Sequence, residues 1–69
     1  MNKTAKILRA LRRRTGETQS DVAMAIGVAM STYSMYERGE RTPRDKIKLR
    51  ISNHFSVPVQ EIFFSEYNT

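Results

Sequence analysis

The chain has no cysteine and no tryptophan, and it carries only two prolines and three glycines in 69 residues. Without cysteine there is no disulfide framework and no thiolate metal site. No apolar run approaches the ~18 residues of a membrane span, and no secretory pattern is present, so a soluble, cytoplasmic protein is expected. There is one histidine, His54, and no convergent carboxylate pair or glycine-rich phosphate loop. An enzyme is therefore not expected: no catalytic residue, metal, cofactor or small-molecule effector is assigned. Basic residues are also missing from one region. Every Lys and Arg lies at or before Arg50, where twelve bases face five acids, and the last nineteen residues hold only Glu61 and Glu66. A basic body with a weakly acidic, aromatic tail points to a polyanion on one side of the molecule. Sixty-nine residues make a single domain, 1–69, whose core supplies only ~3–5 kcal/mol. Short, well-packed helices or a dimer would have to make up the rest.

What is present is organised around Thr18 to Gly39. T-Q-S-D is a capping box, in which the Thr18 hydroxyl accepts from the Asp21 N–H and the Asp21 carboxylate from the Thr18 N–H. Val22, Ala23 and Ile26 follow on one face, and Gly27 stands where a helix ends in a left-handed residue. A second helix is expected from about Met30 to Arg38, with Gly39 ending it in the same way. Tyr33 and Tyr36 anchor it inward. Ser31, Ser34, Met35 and Arg38 fall at i, i+3, i+4 and i+7 and share the opposite face, with Met30 at the N-terminal end. Two short helices joined by a tight glycine turn form a helix-turn-helix, about 18–38.

The remaining chain reads as three more helices. The first, about Lys3 to Arg14, has Asn2 or Thr4 as a cap and a stripe of Ile7, Leu8 and Leu11. Arg12, Arg13 and Arg14 suit the dipole at its C-terminal end. Thr15-Gly16 closes it. After the loop E-R-T-P-R, Thr42 is expected to cap a fourth helix with Pro43 at its first position and Asp45 at the third. Ile47, Leu49 and Ile51 alternate like a strand over 46–52, while Ile47, Ile51 and Phe55 form a helical stripe. The cap, and about eleven residues before the next break, select helix. Pro58 then opens a short last helix, about Val59 to Phe64, whose Val59, Ile62 and Phe63 can close the core.

Gln19, Ala23, Gly27, Val28, Tyr33 and Tyr36, followed by the ending Y-E-R-G-E-R-T-P, resemble the lambdoid Cro and C1-type repressors and the wider XRE-like group. The ending matches that family's E-x-G-x-R-x-P signature, and the likeness spans roughly residues 5 to 64. It implies an all-α, compact five-helix, lambda-repressor-like DNA-binding domain acting as a sequence-specific transcriptional regulator, Cro-like control of a phage or mobile element being favoured over metabolite sensing. Glu17 departs from the family, which has leucine there; a glutamate is expected to stay exposed.

The resemblance also distributes roles. Base contact falls to Met30, Ser31, Ser34 and Met35. Serines and methionines lack the bidentate pairing worth ~1–3 kcal/mol per base pair, so modest sequence reading is expected, with DNA shape or other contacts supplying the rest. Phosphate contact falls to Thr18 and Gln19 at a helix N-terminus and to Arg38, Arg41, Thr42 and Arg44 around the next loop. Arg12 is expected to pair with Glu37. The partner is a double-stranded DNA operator, bound by a homodimer at least on DNA, and Phe63, Phe64 and Tyr67, beside Val59 and Ile62, are the candidate dimer surface. Two other readings exist. An antitoxin-type protein-binding module on the same fold would show a co-purifying partner. A membrane-surface role for the basic first helix fits less well, because its apolar stripe is narrow and has no interfacial tryptophan.

Overall fold

Helix α1 (Lys3–Thr15) is followed by α2 (Gln19–Ile26), α3 (Met30–Glu37), α4 (Asp45–Phe55) and α5 (Val59–Tyr67). The computed structural model describes residues 3–67, with side chains as far as Phe63, and holds no strand among them. The segment 46–52 is helical. None of these helices is long and apolar enough to cross a membrane.

The helix ends follow local chemistry, with two exceptions. Thr18 and Asp21 form the reciprocal capping box at 3.0 Å in each direction. Gly27 has φ +76° and turns the chain after α2, its N–H and that of Val28 reaching back to the Met24 and Ala23 carbonyls. The end of α4 needs the same left-handed residue but has Ser56 there, at φ +56°. The first exception is the start of α4. Thr42 does not cap it: the N-cap is Arg44, in extended conformation and without a side-chain bond, and Asp45 is the first helical residue. The extended loop thus runs past Pro43, whose ring is buried rather than leading the helix. The second is Thr4, which lies inside α1. It is 4% exposed, and its hydroxyl donates to the Ile62 carbonyl at 3.1 Å, joining the first helix to the last. Asn2 lies outside the described residues.

Each helix turns a narrow stripe inward. Leu8 and Leu11, Val22, Ala23 and Ile26, Tyr33 and Tyr36, Ile51 and Phe55, and Ile62 and Phe63 form one core, with Ile7, Val28, Ile47, Val57 and Val59 packed on its edge. Helix α3 is held between α1 and α2, α4 packs on α2, and α5 closes against α1 and α4. Ala23, 2% exposed, lies on the α2 face turned to this core, where its small side chain lets α2 and α3 approach.

Phe63, which the sequence offers both to the core and to a dimer surface, and Lys48 are both inside. Phe63 is fully buried, so it belongs to the monomer core and not to a dimer surface. The side chains of Phe64 and Tyr67 lie outside the described residues. Lys48 is only 7% exposed; its stem is covered while its ammonium lies 5.3 Å over the Phe63 ring and 3.8 Å from Asp45. A lysine can bury its methylenes in this way and keep its charge near partners.

Candidate nucleic-acid interface

Helix α3 is fixed from behind by a buried polar node. Glu37, 1% exposed, receives Arg12 Nε at 2.7 Å and the second Arg12 nitrogen at 3.0 Å, one hydrogen bond to each carboxylate oxygen. Gln19 Nε2 donates to the same carboxylate at 3.1 Å, and an Arg9 nitrogen donates to the Glu37 carbonyl. Arg12 also reaches the Glu17 carbonyl at 3.1 Å. One carboxylate therefore gathers α1, α2 and α3. Burial alone would raise the Glu37 carboxyl, but the Arg12 guanidinium, then the Tyr33 phenol and the Gln19 amide, together outweigh burial and hold it below its ordinary value. A charge out of water is tolerated only when paired and hydrogen-bonded to this degree. The Tyr33 phenol, sealed in the core, is pushed up by burial and then by Glu37.

The corner between α1 and α2 is held too. Glu17 is not exposed as expected: His54 Nε2 lies 2.8 and 2.9 Å from its two oxygens, and the Thr15 hydroxyl donates to it at 2.7 Å. The Thr15 hydroxyl does most to lower the Glu17 carboxyl; burial opposes it, and His54 adds to the lowering. A polar clasp takes the place of an apolar plug. Arg50 closes the turn itself by donating to the Ile26 carbonyl at 3.2 Å. A side chain at position 27 would meet both this guanidinium, 3.1 Å away, and an unfavourable φ.

The front of α3 is open. Met30 is 54% exposed, Ser31 is exposed, and Ser34 and Met35 are half-buried, while Tyr33 and Tyr36 point inward with their rings edge to face. Ala29 caps α3 without a side-chain bond, so the first-turn N–H groups have no side-chain acceptor from that position. Beside this end a groove of about 350 Å³ runs between Val28, Ala29 and Thr32 on one wall and Arg41, Thr42 and Arg44 on the other. Those three loop residues are exposed and come together in this one groove.

The other residues assigned to phosphate are less free than their sequence position suggests. The Thr18 hydroxyl is engaged with the Asp21 N–H, and the Gln19 amide with Glu37. Asp21 adds a carboxylate to the first turn of α2. Arg38 is exposed but folds against its own neighbours. Its Nε and one terminal nitrogen donate to Glu40 at 3.0 and 3.1 Å, and the other donates to Ser34 Oγ at 2.6 Å. Sequence reasoning passed over Glu40. The signal was present in R-G-E, since a left-handed glycine between two residues folds the second back toward the first.

A helix-turn-helix family profile matches residues 8–62. The cryptic phage CTXphi transcriptional repressor RstR of Vibrio cholerae is 33% identical over 55 residues, 80% of this chain. The chain spans half the length of that repressor. An uncharacterised helix-turn-helix-type transcriptional regulator of Methanocaldococcus jannaschii is 35% identical over 49 residues, covering 71% of this chain and 74% of the archaeal protein. No solved structure matches significantly. The matched region contains α2, the glycine turn and α3 entire, together with the residues that brace them from α1 and α4, and the chain belongs to the helix-turn-helix family, in the XRE-like group that its sequence resembles.

Proposed function

We propose that this chain is a transcriptional regulator that binds double-stranded DNA, with α3 entering the major groove of an operator. The observation that carries this reading is the asymmetry of α3. Its rear is locked to α1 and α2 through Glu37, while its front is uncovered and flanked by a basic groove. A reading helix must be rigid behind and open in front. Met30, Ser31, Ser34 and Met35 then face base edges, and Arg41, Thr42 and Arg44 face the phosphates of one strand. Arg38 and the start of α2, at Thr18 and Gln19, face further phosphates. One domain covers one half-site, so the operator is bound by a homodimer. The Vibrio relative is by name a phage transcriptional repressor, which supports repression at a phage or mobile-element promoter in the cytoplasm.

The test is fluorescence anisotropy with the duplex upstream of the protein's own gene beside a shuffled duplex, across several salt concentrations. Four to six neutralised phosphates per monomer give a log–log salt slope of about −4 to −5 per monomer. Tight, steeply salt-dependent binding to the native duplex and far weaker binding to the shuffled one is the expected outcome. A slope near zero refutes the reading, and equal binding to both duplexes refutes sequence specificity through α3.

A further inference from the structure

We propose that Glu40 acts as a phosphate mimic built into the reading face, occupying in the free protein the edge of Arg38 that DNA would use. The inference rests on the DNA-binding reading and adds a residue that restrains it. Three observations meet here. Arg38 ends α3, and Gly39 follows with φ +73°. The Glu40 N–H then bonds the Met35 carbonyl at 3.0 Å, so the backbone itself, and not chance side-chain wandering, returns residue 40 to the helix end. The Glu40 carboxylate meets Arg38 side-on, oxygen by oxygen, at 3.0 and 3.1 Å.

The geometry of that contact is the point. A guanidinium grips a carboxylate and a phosphate in the same way, by two parallel N–H donors. Nε and its neighbouring nitrogen are both given to Glu40, and the remaining nitrogen is engaged by Ser34 Oγ at 2.6 Å. Arg38 thus meets a duplex with its bidentate edge already occupied and only two of its five N–H donors unengaged by these bonds. The pair is open to water, with side chains 53% and 56% exposed, so it adds little to folding and can exchange its carboxylate for another anion. Glu40 also opens the segment that carries Arg41 and Arg44, where a negative charge opposes any approaching phosphate.

Duplex binding of four proteins across a salt series tests this: wild type, Glu40→Gln, Arg38→Ala, and both changes together. All the altered side chains are exposed, and circular dichroism checks that each variant is folded. Glu61→Gln, which removes an exposed carboxylate on α5, controls for net charge. Glu40→Gln is expected to bind native and shuffled duplexes about fivefold more tightly at low salt, the scale of one exposed ion pair. Its salt slope should steepen by about one phosphate. In the Arg38→Ala background the gain should fall to that of Glu61→Gln. Unchanged or weaker binding by Glu40→Gln overturns the inference, weaker binding meaning that Glu40 positions Arg38 productively. An equal gain with and without Arg38 also overturns it, because bulk charge then explains the effect. A wild type that binds no duplex in a salt-dependent way overturns the DNA reading itself, and this inference with it.

Discussion

An arginine–glutamate pair lies on each side of helix α3, and in both the guanidinium meets the carboxylate through Nε and one terminal nitrogen. Behind the helix, Arg12 and Glu37 meet in two hydrogen bonds at 2.7 and 3.0 Å with 16% and 1% of their side chains exposed. In front, Arg38 and Glu40 meet in two at 3.0 and 3.1 Å with 53% and 56% exposed. The chemistry is the same, and the consequence differs because water screens one pair and not the other. The rear pair fixes where α3 sits. The front pair fixes only how its own arginine is presented. A pairing motif alone therefore says nothing about stability until its burial is known.

The largest effect expected is at the rear. Arg12→Ala leaves the Glu37 carboxylate buried without its main partner and should destabilise the domain by about 3–5 kcal/mol. Arg14→Ala, on the exposed side of α1, should leave the melting temperature near that of wild type. Equal melting temperatures for the two variants would erase the contrast. Acid supplies the next test. Because Glu37 is held below its ordinary value in the fold, its contribution is complete above the unfolded carboxylate range of about 4.3 and is lost as pH falls through the lower folded value. Denaturant titrations from pH 6 to pH 2 should show this loss, and Glu37→Gln, less stable at neutral pH, should show a shallower one.

An intermediate case sharpens the comparison. Glu17 and His54 are each 24% exposed and join α4 to the corner before α2. Glu17→Gln should cost about 1 kcal/mol in urea unfolding, between the two extremes. The smallest effect belongs to the front pair: Glu40→Gln should leave both the melting temperature and its dependence on pH unchanged, although it alters duplex binding. A drop in melting temperature comparable to that of Glu17→Gln would show that exposure is a poor guide here.

The five helices were legible because their signals are local. The Thr18–Asp21 box, Gly27, and the i, i+4 stripe of Ile47, Ile51 and Phe55 each state a helix end or face within a few residues. The inward tyrosines and outward serines of α3 followed from helical spacing alone. The Arg12–Glu37 contact, across 25 residues, was legible only through family resemblance. Contacts with no such template were missed. Thr4 finds Ile62, Glu17 finds His54, and Lys48 covers Phe63, and each depends on how helices meet rather than on what a helix prefers. Phe63 was assigned to the core and to a dimer surface at once, since apolarity marks a residue for burial without saying against what. Around the groove the types of residue were legible, but the engagement of Gln19 and Arg38 within the domain was not.

The bond from the Thr4 hydroxyl to the Ile62 carbonyl links positions 58 residues apart. It makes α1 and α5 two halves of one seam, while α2, the turn and α3 are neighbours in sequence. Contacts between neighbours form early in folding and distant ones await chain closure, so the seam should form late. It should also be the place where the native domain opens as a unit. Backbone amides in α5 should then exchange their hydrogens with an opening energy below that of α1 and α3, which the buried Arg12–Glu37 pair holds together.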